Sequence, residues 1–290
     1  MKYKHIICSG DSYTAGHELA ADQLIPEYFD YAVPAYICRE IDNEKKGHDV
    51  YRDLLKSHDE LKRRLNDLER ALERAQDKTA STSYWNMSKQ RAWPGKLQSL
   101  TGIAVSNLGH YGISNHEIAY RLLETATHAL NNHSPENIIC FMMLSNPLRF
   151  GTPQHGPHHR GEYDYQSFAP WFDFVPETIK PWARRIIEDY NDYDYLHESY
   201  INVLAVKSHL TKLGINTIIL DSGLWDKFGR EYSHPTKQNR FKLFSEILEI
   251  QLDPLTQVGF EKGFKKLPGG HMEESLHDLY AEMIVETFLK

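Results

Sequence analysis

The sequence predicts an α/β fold built on a parallel sheet, and three observations carry that expectation. Four apolar runs of strand length stand apart in the chain: Ile6-Ile7-Cys8, Ile103-Ala104-Val105, Ile138 to Met143, and Ile218-Ile219-Leu220. Segments with helical periodicity, long enough for a crossover, lie between them. Small or polar residues follow the runs, at Gly10-Asp11-Ser12, Gly112, Ser145-Asn146 and Asp221, which is where ligands collect in such sheets.

Taken in order, Ile6 to Ser9 is the first strand, and the glycine after it permits a sharp turn into Ser12. Tyr13 to Asp22 starts a helix or loop, and Gln23 to Glu40 mixes aromatics with prolines as irregular packing structure. From Lys45 to Lys78 the composition turns charged and helix-favouring. Leu54, His58, Leu61, Leu65, Leu68, Leu72 and Ala75 recur there at alternating spacings of four and three, a heptad seam. That seam suits self-association through residues 54–75 or packing within the chain. Thr79 to Ser88 reads as a polar exit from this arm. Trp93-Pro94 opens a short helix that Gly102 stops. Ile118 to Leu130 is helical by period, and Asn137 to Leu144 is apolar enough for a strand buried on both faces. Phe150 to Trp182, rich in His, Gly, Pro and aromatics without a period, reads as a functional loop or cap. Tyr195 to Leu213 is helical and Asn216 to Asp221 is the fourth strand. Gly223 to Lys266 is a second insertion with a helical stretch near Phe241 to Leu252, and Glu273 to Leu289 closes the chain as an amphipathic helix. The expected organisation is one domain at residues 1–44 and 79–290, with 45–78 inserted as a helical arm.

Composition narrows the function. A chain of 290 residues that is 41% hydrophobic and 12% aromatic can bury a sizeable core. Its formal net charge of −7 argues against nucleic-acid binding, which favours a basic face. No apolar run approaches the ~20 residues of a membrane span. Cys8, Cys38 and Cys140 are too few and too scattered for a disulfide framework, which leads to an expectation of buried thiols and a cytoplasmic setting.

Acyl transfer by Ser12 requires a base and donors aimed at a developing oxyanion. Gly112 offers a backbone N–H without a side chain in the way, and Asn146 offers a side-chain amide. Of sixteen histidines, His271 stands on the glycine-rich turn Pro268-Gly269-Gly270 before the last helix. The plain structural roles for the same residues are a helix cap for Ser12 or His271 and turn positions for Gly112 and Asn146. His277 reads as core, and Asp11 as a residue that fixes the turn. His155, His158 and His159 lack an element to set ligand spacing, so no metal is expected. Tyr163, Tyr165, Phe168, Trp171 and Phe172 could stack on a sugar or an acyl chain, or simply pack the loop down.

Gly10-Asp11-Ser12, Asn107 with Gly112, Ser145-Asn146, and Gly270-His271 with His277 and Ala281 resemble the four sequence blocks of the SGNH (GDSL-type) hydrolases. Ser12 to Gly16, Ala92-Trp93-Pro94 and Asn107-Leu108 through Asn115 are most similar to members encoded by bacteriophages. The resemblance implies a flavodoxin-like three-layer α/β/α sandwich without cofactor. It implies Ser12 as nucleophile, His271 as base, and an oxyanion hole of Ser12, Gly112 and Asn146. The substrate would be a small acyl ester, such as an acetylated carbohydrate, and a phage-encoded member would work in the host cytoplasm or on the virion. Two positions depart from the pattern. Pro268 and Gly269 stand where the family carries an aspartate before the histidine, and Pro147 stands where an Asp usually follows Asn146. A Ser12–His271 dyad is the resulting expectation, its ring held by a backbone carbonyl or by a carboxylate from elsewhere, for which Asp221 is the one named candidate. The alternative is a weak or inactive binding protein that oligomerises through its arm.

Overall fold

The computed structural model describes residues 2–34, 49–74, 78–110, 112–147, 149–154, 164–168, 192–223, 243–244, 246–268 and 271–290. In chain order its elements are β1 (His5–Ser9), α1 (Ser12–Ala15), β2 (Val33–Pro34), α2 (Asp49–Arg74), α3 (Lys78–Arg91) and α4 (Trp93–Thr101). There follow β3 (Ala104–Asn107), α5 (Asn115–Ala129), β4 (Ile138–Leu144), β5 (Phe150–Gln154), β6 (Asp164–Phe168), α6 (Asp192–Lys212) and β7 (Asn216–Asp221). The chain closes with α7 (Leu255–Lys262), β8 (Lys265–Lys266) and α8 (Glu274–Ile284). The chain is thus α/β, and it divides into two compact units. One comprises Met1–Thr14 and Ile103–Pro254, the other Ala15–Gly102 and Leu255–Lys290.

The first unit holds a parallel sheet in the order β3-β1-β4-β7. His5 lies opposite both Ala104 and Ile138, and Ile139 lies opposite Asn216. After β1 the chain goes to β3 on one side and then to β4 on the other, so the strand order reverses beside β1. That reversal opens a crevice at the carboxyl end of β1, where Gly10, Asp11 and Ser12 follow. All seven residues of β4 are buried, which explains its unbroken apolar run. Helix α5 starts with Ser114, whose Oγ accepts the Glu117 N–H at 3.2 Å, an N-cap of Ser-x-x-Glu type. Its Ile118, Leu122 and Ala126 join Val203 and Leu210 of α6 in a core with Ile7, Cys140, Met142 and Ile219 of the sheet. Cys8 and Cys140 are buried free thiols, and burial pushes the Cys140 thiol up to about 12. Cys38 lies outside the described residues.

The second unit packs α2 on the irregular segment that follows α1. Leu61 and Leu65 are buried with Leu19, Ala21, Ile25, Tyr28, Ala92 and Leu267, and Leu68 is partly buried beside them. The centre of the heptad seam is therefore covered by the chain's own residues. At ~1.5 Å per residue the 26-residue helix is about 39 Å long. The polar exit expected at Thr79 to Ser88 is instead helical, as part of α3, because Tyr84 and Ser88 turn inward and are buried. Helix α4 packs on α8, with the Trp93 and Tyr280 rings edge-on at 6.5 Å. It ends where the Gly102 N–H bonds Gln98 O at 2.9 Å, with Gly102 in the left-handed region. Strand β2 pairs antiparallel with β8.

Phe150 to Gln154 and Asp164 to Phe168 form a two-stranded antiparallel ribbon inside the segment expected to be a loop. His155, His158, His159, Tyr163, Trp171 and Phe172 lie outside the described residues. Among the described residues, no helix is long and apolar enough to cross a membrane.

Candidate active site

The serine turn is built by the sheet. Ile6 to Ser9 are fully buried, and Gly10 follows where a Cβ would fall 2.1 Å from Thr14 Oγ1 and 3.0 Å from the Met143 Cβ. The fully buried Asp11 accepts the Tyr13 N–H on Oδ1 at 3.1 Å, and its carbonyl accepts the Thr14 N–H at 3.0 Å. Its Oδ2 lies 3.6 Å from Arg149 Nη1, which also donates to Ser145 Oγ at 2.8 Å. Ser12 opens α1 and is only 5% exposed.

The loop after β3 is lashed to this turn. Asn107 Nδ2 donates to Thr14 O at 2.9 Å, and Asn107 Oδ1 accepts the Gly109 N–H at 2.9 Å. The His110 N–H donates to Gly10 O at 3.1 Å. Gly112 follows with φ +75°, and an added Cβ there would meet nothing within 4 Å. Its conformation favours glycine, and its side-chain position faces open space. After β4, Ser145 is held through its backbone by Asn115 of α5. The Ser145 N–H reaches Asn115 Oδ1 at 2.7 Å, and Asn115 Nδ2 reaches Ser145 O at 3.0 Å. The half-buried Asn146 comes next and accepts the Arg149 N–H on its carbonyl at 3.1 Å. Ser12, Gly112 and Asn146 each follow a neighbouring strand of one sheet, and Asp221 ends the fourth. Asp221 is buried and uses Oδ1 to accept the Gly223 N–H at 2.8 Å, capping its own turn.

His271 belongs to the second unit and sits on a braced backbone. Its carbonyl accepts the Leu267 N–H at 2.7 Å, while the Glu273 N–H reaches Lys265 O at 3.1 Å. Its Nδ1 lies 2.5 Å from Glu18 Oε2, and the same oxygen accepts the His271 backbone N–H at 3.0 Å. The carboxylate bonded to this ring is that of Glu18, from elsewhere in the chain, and not Asp221, whose Oδ1 accepts the Gly223 N–H. A carboxylate only accepts, so Nδ1 carries the proton and Nε2 presents the basic lone pair.

Glu18 is fully buried and takes φ 70°, a left-handed conformation rare outside glycine. It comes two residues after Gly16, which also has positive φ and where a Cβ would lie 2.1 Å from Ser88 O. Burial opposes the charge on Glu18. The hydrogen bond and charge of His271, then His17 and the Tyr28 hydroxyl, overcome that cost and hold the carboxyl at about 2.

Around this pair lie further groups. His17 Nε2 is 3.2 Å from Glu69 Oε2, and Tyr84 OH donates to Glu69 Oε1 at 2.8 Å. The His17 and His271 rings meet edge to face, centroids 5.0 Å apart. His17, Glu18 and His271 offer ligand atoms within 4.8 Å of one another. Two ligands on a tetrahedral zinc at ~2.05 Å would stand roughly 3.3 Å apart. Glu18 and His271 are instead bonded to each other, Oε2 to Nδ1 at 2.5 Å. His277 is buried and neutral, its Nδ1 accepting the Trp93 N–H at 3.3 Å. Burial first, then the His271 and Lys96 charges, push it down to about 3.

No family model matches the chain, and no curated protein matches it. Among solved structures, the chain is similar to a lipolytic protein of the G-D-S-L family from Desulfitobacterium hafniense DCB-2. The two share 9% identity, with a TM-score of 0.41 over 98% of each chain. It is also similar to a member of the lipolytic protein G-D-S-L family from Veillonella parvula DSM 2008, at 12% identity and a TM-score of 0.42, over 99% of this chain and 98% of that one.

Proposed function

We propose that the chain is a serine acyl hydrolase that cleaves a small acyl ester, with an acetylated carbohydrate as the preferred class. Ser12 Oγ attacks the ester carbonyl carbon while His271 Nε2 takes its proton. The tetrahedral oxyanion is received by the N–H groups of Ser12 and Gly112 and by the Asn146 amide. Collapse releases the alcohol, which leaves with the proton held on His271. Water then attacks the acyl-serine with the same base, returning free acid and Ser12. Glu18 holds the ring and stabilises the imidazolium in both halves of the cycle.

The observation that carries this reading is the Glu18 carboxylate on Nδ1 of His271, a histidine in the tautomer a general base requires. It also answers the feature that favoured a binding-only protein, namely a base without an acid. The test is hydrolysis of p-nitrophenyl acetate by wild type and by Ser12→Ala. Loss of turnover in the variant supports the reading, and equal rates overturn it.

A further inference from the structure

The heptad-patterned insertion does more than cover the irregular segment. Along the described part of α2, two buried polar side chains break the pattern of buried leucines and exposed charges: His58, bonded to Tyr31 O, and Glu69, 7% exposed. A buried carboxylate away from partners is costly, and Glu69 has two, His17 Nε2 and Tyr84 OH. His17 precedes Glu18 in the chain, and its ring stands edge to face with that of His271. Two glutamate–histidine pairs thus abut, Glu69–His17 and Glu18–His271, and the first is delivered by the inserted helix.

We infer that Glu69 and His17 are positioning residues for the acid–base pair. The inserted helix supplies a buried carboxylate that holds the His17 imidazole beside Glu18 and edge to face with the His271 ring. This inference rests on His271 acting as the base. Among the described residues, the groups that face His17 include Glu69 and Lys62 of α2, Glu18 beside it in the chain, and the His271 ring. Burial and Lys62 favour its neutral form, but the hydrogen bond and charge of Glu69, with the charge of Glu18, raise its pKa above the ordinary value. The cation in turn favours the charged form of Glu18. With the His17 and His271 ring centroids 5.0 Å apart, two positive charges there would repel each other. A metal bridge among His17, Glu18 and His271 competes with this reading, but two of its members are hydrogen-bonded directly to each other.

The experiment uses the full chain and three variants: Glu69→Gln, its conservative counterpart Glu69→Asp, and His17→Gln. The first readout is the pH profile of kcat/KM on p-nitrophenyl acetate. Glu69→Gln and His17→Gln should each move the acid limb to higher pH by about one unit, a roughly tenfold loss on that limb. Glu69→Asp should restore the wild-type limb. The second readout needs no activity: the NMR titration of the His17 ring protons, assigned by their loss in His17→Gln. It should move to lower pH in Glu69→Gln and return in Glu69→Asp. An unmoved His17 titration overturns the inference even if no hydrolysis is found, in which case the function proposed above fails separately. A lowered melting temperature with an unmoved acid limb also overturns it, because a merely structural Glu69 would behave that way. If Glu69→Gln does not fold, His17→Gln and Tyr84→Phe decide on the same limb, Tyr84→Phe moving it in the same direction by less.

Discussion

Glu18→Gln is the most informative single substitution, because it keeps the shape of the side chain and removes only its charge. The carboxyl is fully buried and yet held at about 2 against an ordinary 4.5. Its surroundings therefore favour the charged form by on the order of 3 kcal/mol, net of the burial that opposes it. His271 is the foremost source of that preference, with His17 and Tyr28 behind it. The carboxylate sits on Nδ1 of His271, where it stabilises the imidazolium that forms when Ser12 gives up its proton. Loss of the charge should slow acyl transfer by about tenfold or more. The assay is steady-state hydrolysis of p-nitrophenyl acetate with kcat and KM separated. The expected result is a fall in kcat with KM changed less than about twofold, since Glu18 acts through His271. A Glu18→Gln enzyme within about threefold of wild type would refute the reasoning. So would a Glu18→Gln/His271→Ala double variant far slower than His271→Ala alone, because residues acting as a unit are not additive.

Other expectations concern stability. The folded chain refuses a proton on His277 until about pH 3, while the unfolded chain binds it below about 6.5, so stability falls by ~1.4 kcal/mol per pH unit through that window. His277→Gln should flatten the slope of urea-unfolding free energy between pH 6 and 4.5, and an unchanged slope contradicts it. Glu18 acts in a lower window, its stabilisation being complete above about pH 4.5 and lost as the pH falls toward 2. Gly112→Ala should cost only about 1–2 kcal/mol for its left-handed backbone, since nothing lies near the new methyl. Gly16→Ala adds a 2.1 Å approach to Ser88 O and should cost clearly more in the same thermal melts. Leu65→Ala removes a side chain that is 1% exposed and should cost about 2–5 kcal/mol regardless of protein concentration. A cost that depends on concentration would instead place the seam between two copies.

Much of the sheet was legible because parallel strands buried on both faces leave unbroken apolar runs. Asn216 to Asp221 is a strand at the bounds read from the sequence, and the Asn137 to Leu144 run is a strand from Ile138. Helix ends were legible where a residue has one physical job, as with Gly102 at positive φ closing α4. The register of the heptad seam was legible too, but its partner was not. A stripe of leucines does not say whether it meets another chain or, as Leu61 and Leu65 do, Tyr28 and Ile25. Helix α3 was missed because Ser and Thr have weak helix preference, and tertiary burial of Tyr84 and Ser88 outweighed it.

Ser12, Gly112, Asn146 and His271 stand out in the sequence by their place after strands and turns. Glu18 escaped because its partner lies 253 residues away in the chain and its role depends on a contact no local pattern encodes. A faint signal existed: Gly16-His17-Glu18 puts a histidine and a carboxylate in front of the apolar Leu19-Ala20-Ala21, where a buried charge needs a reason. Glu69 carried a fainter one still, since an acid on a charged helix looks like any other until its burial is known.

The most direct measurement for the central claim is labelling by a fluorophosphonate, which reacts with a serine only when that serine is activated by its base. Intact mass and peptide mapping on the wild-type chain should find one adduct, on the peptide that contains Ser12. It should disappear in Ser12→Ala and form far more slowly in His271→Ala. A folded wild-type chain that stays unlabelled, or labels at a different residue, would contradict the assignment of Ser12 as nucleophile.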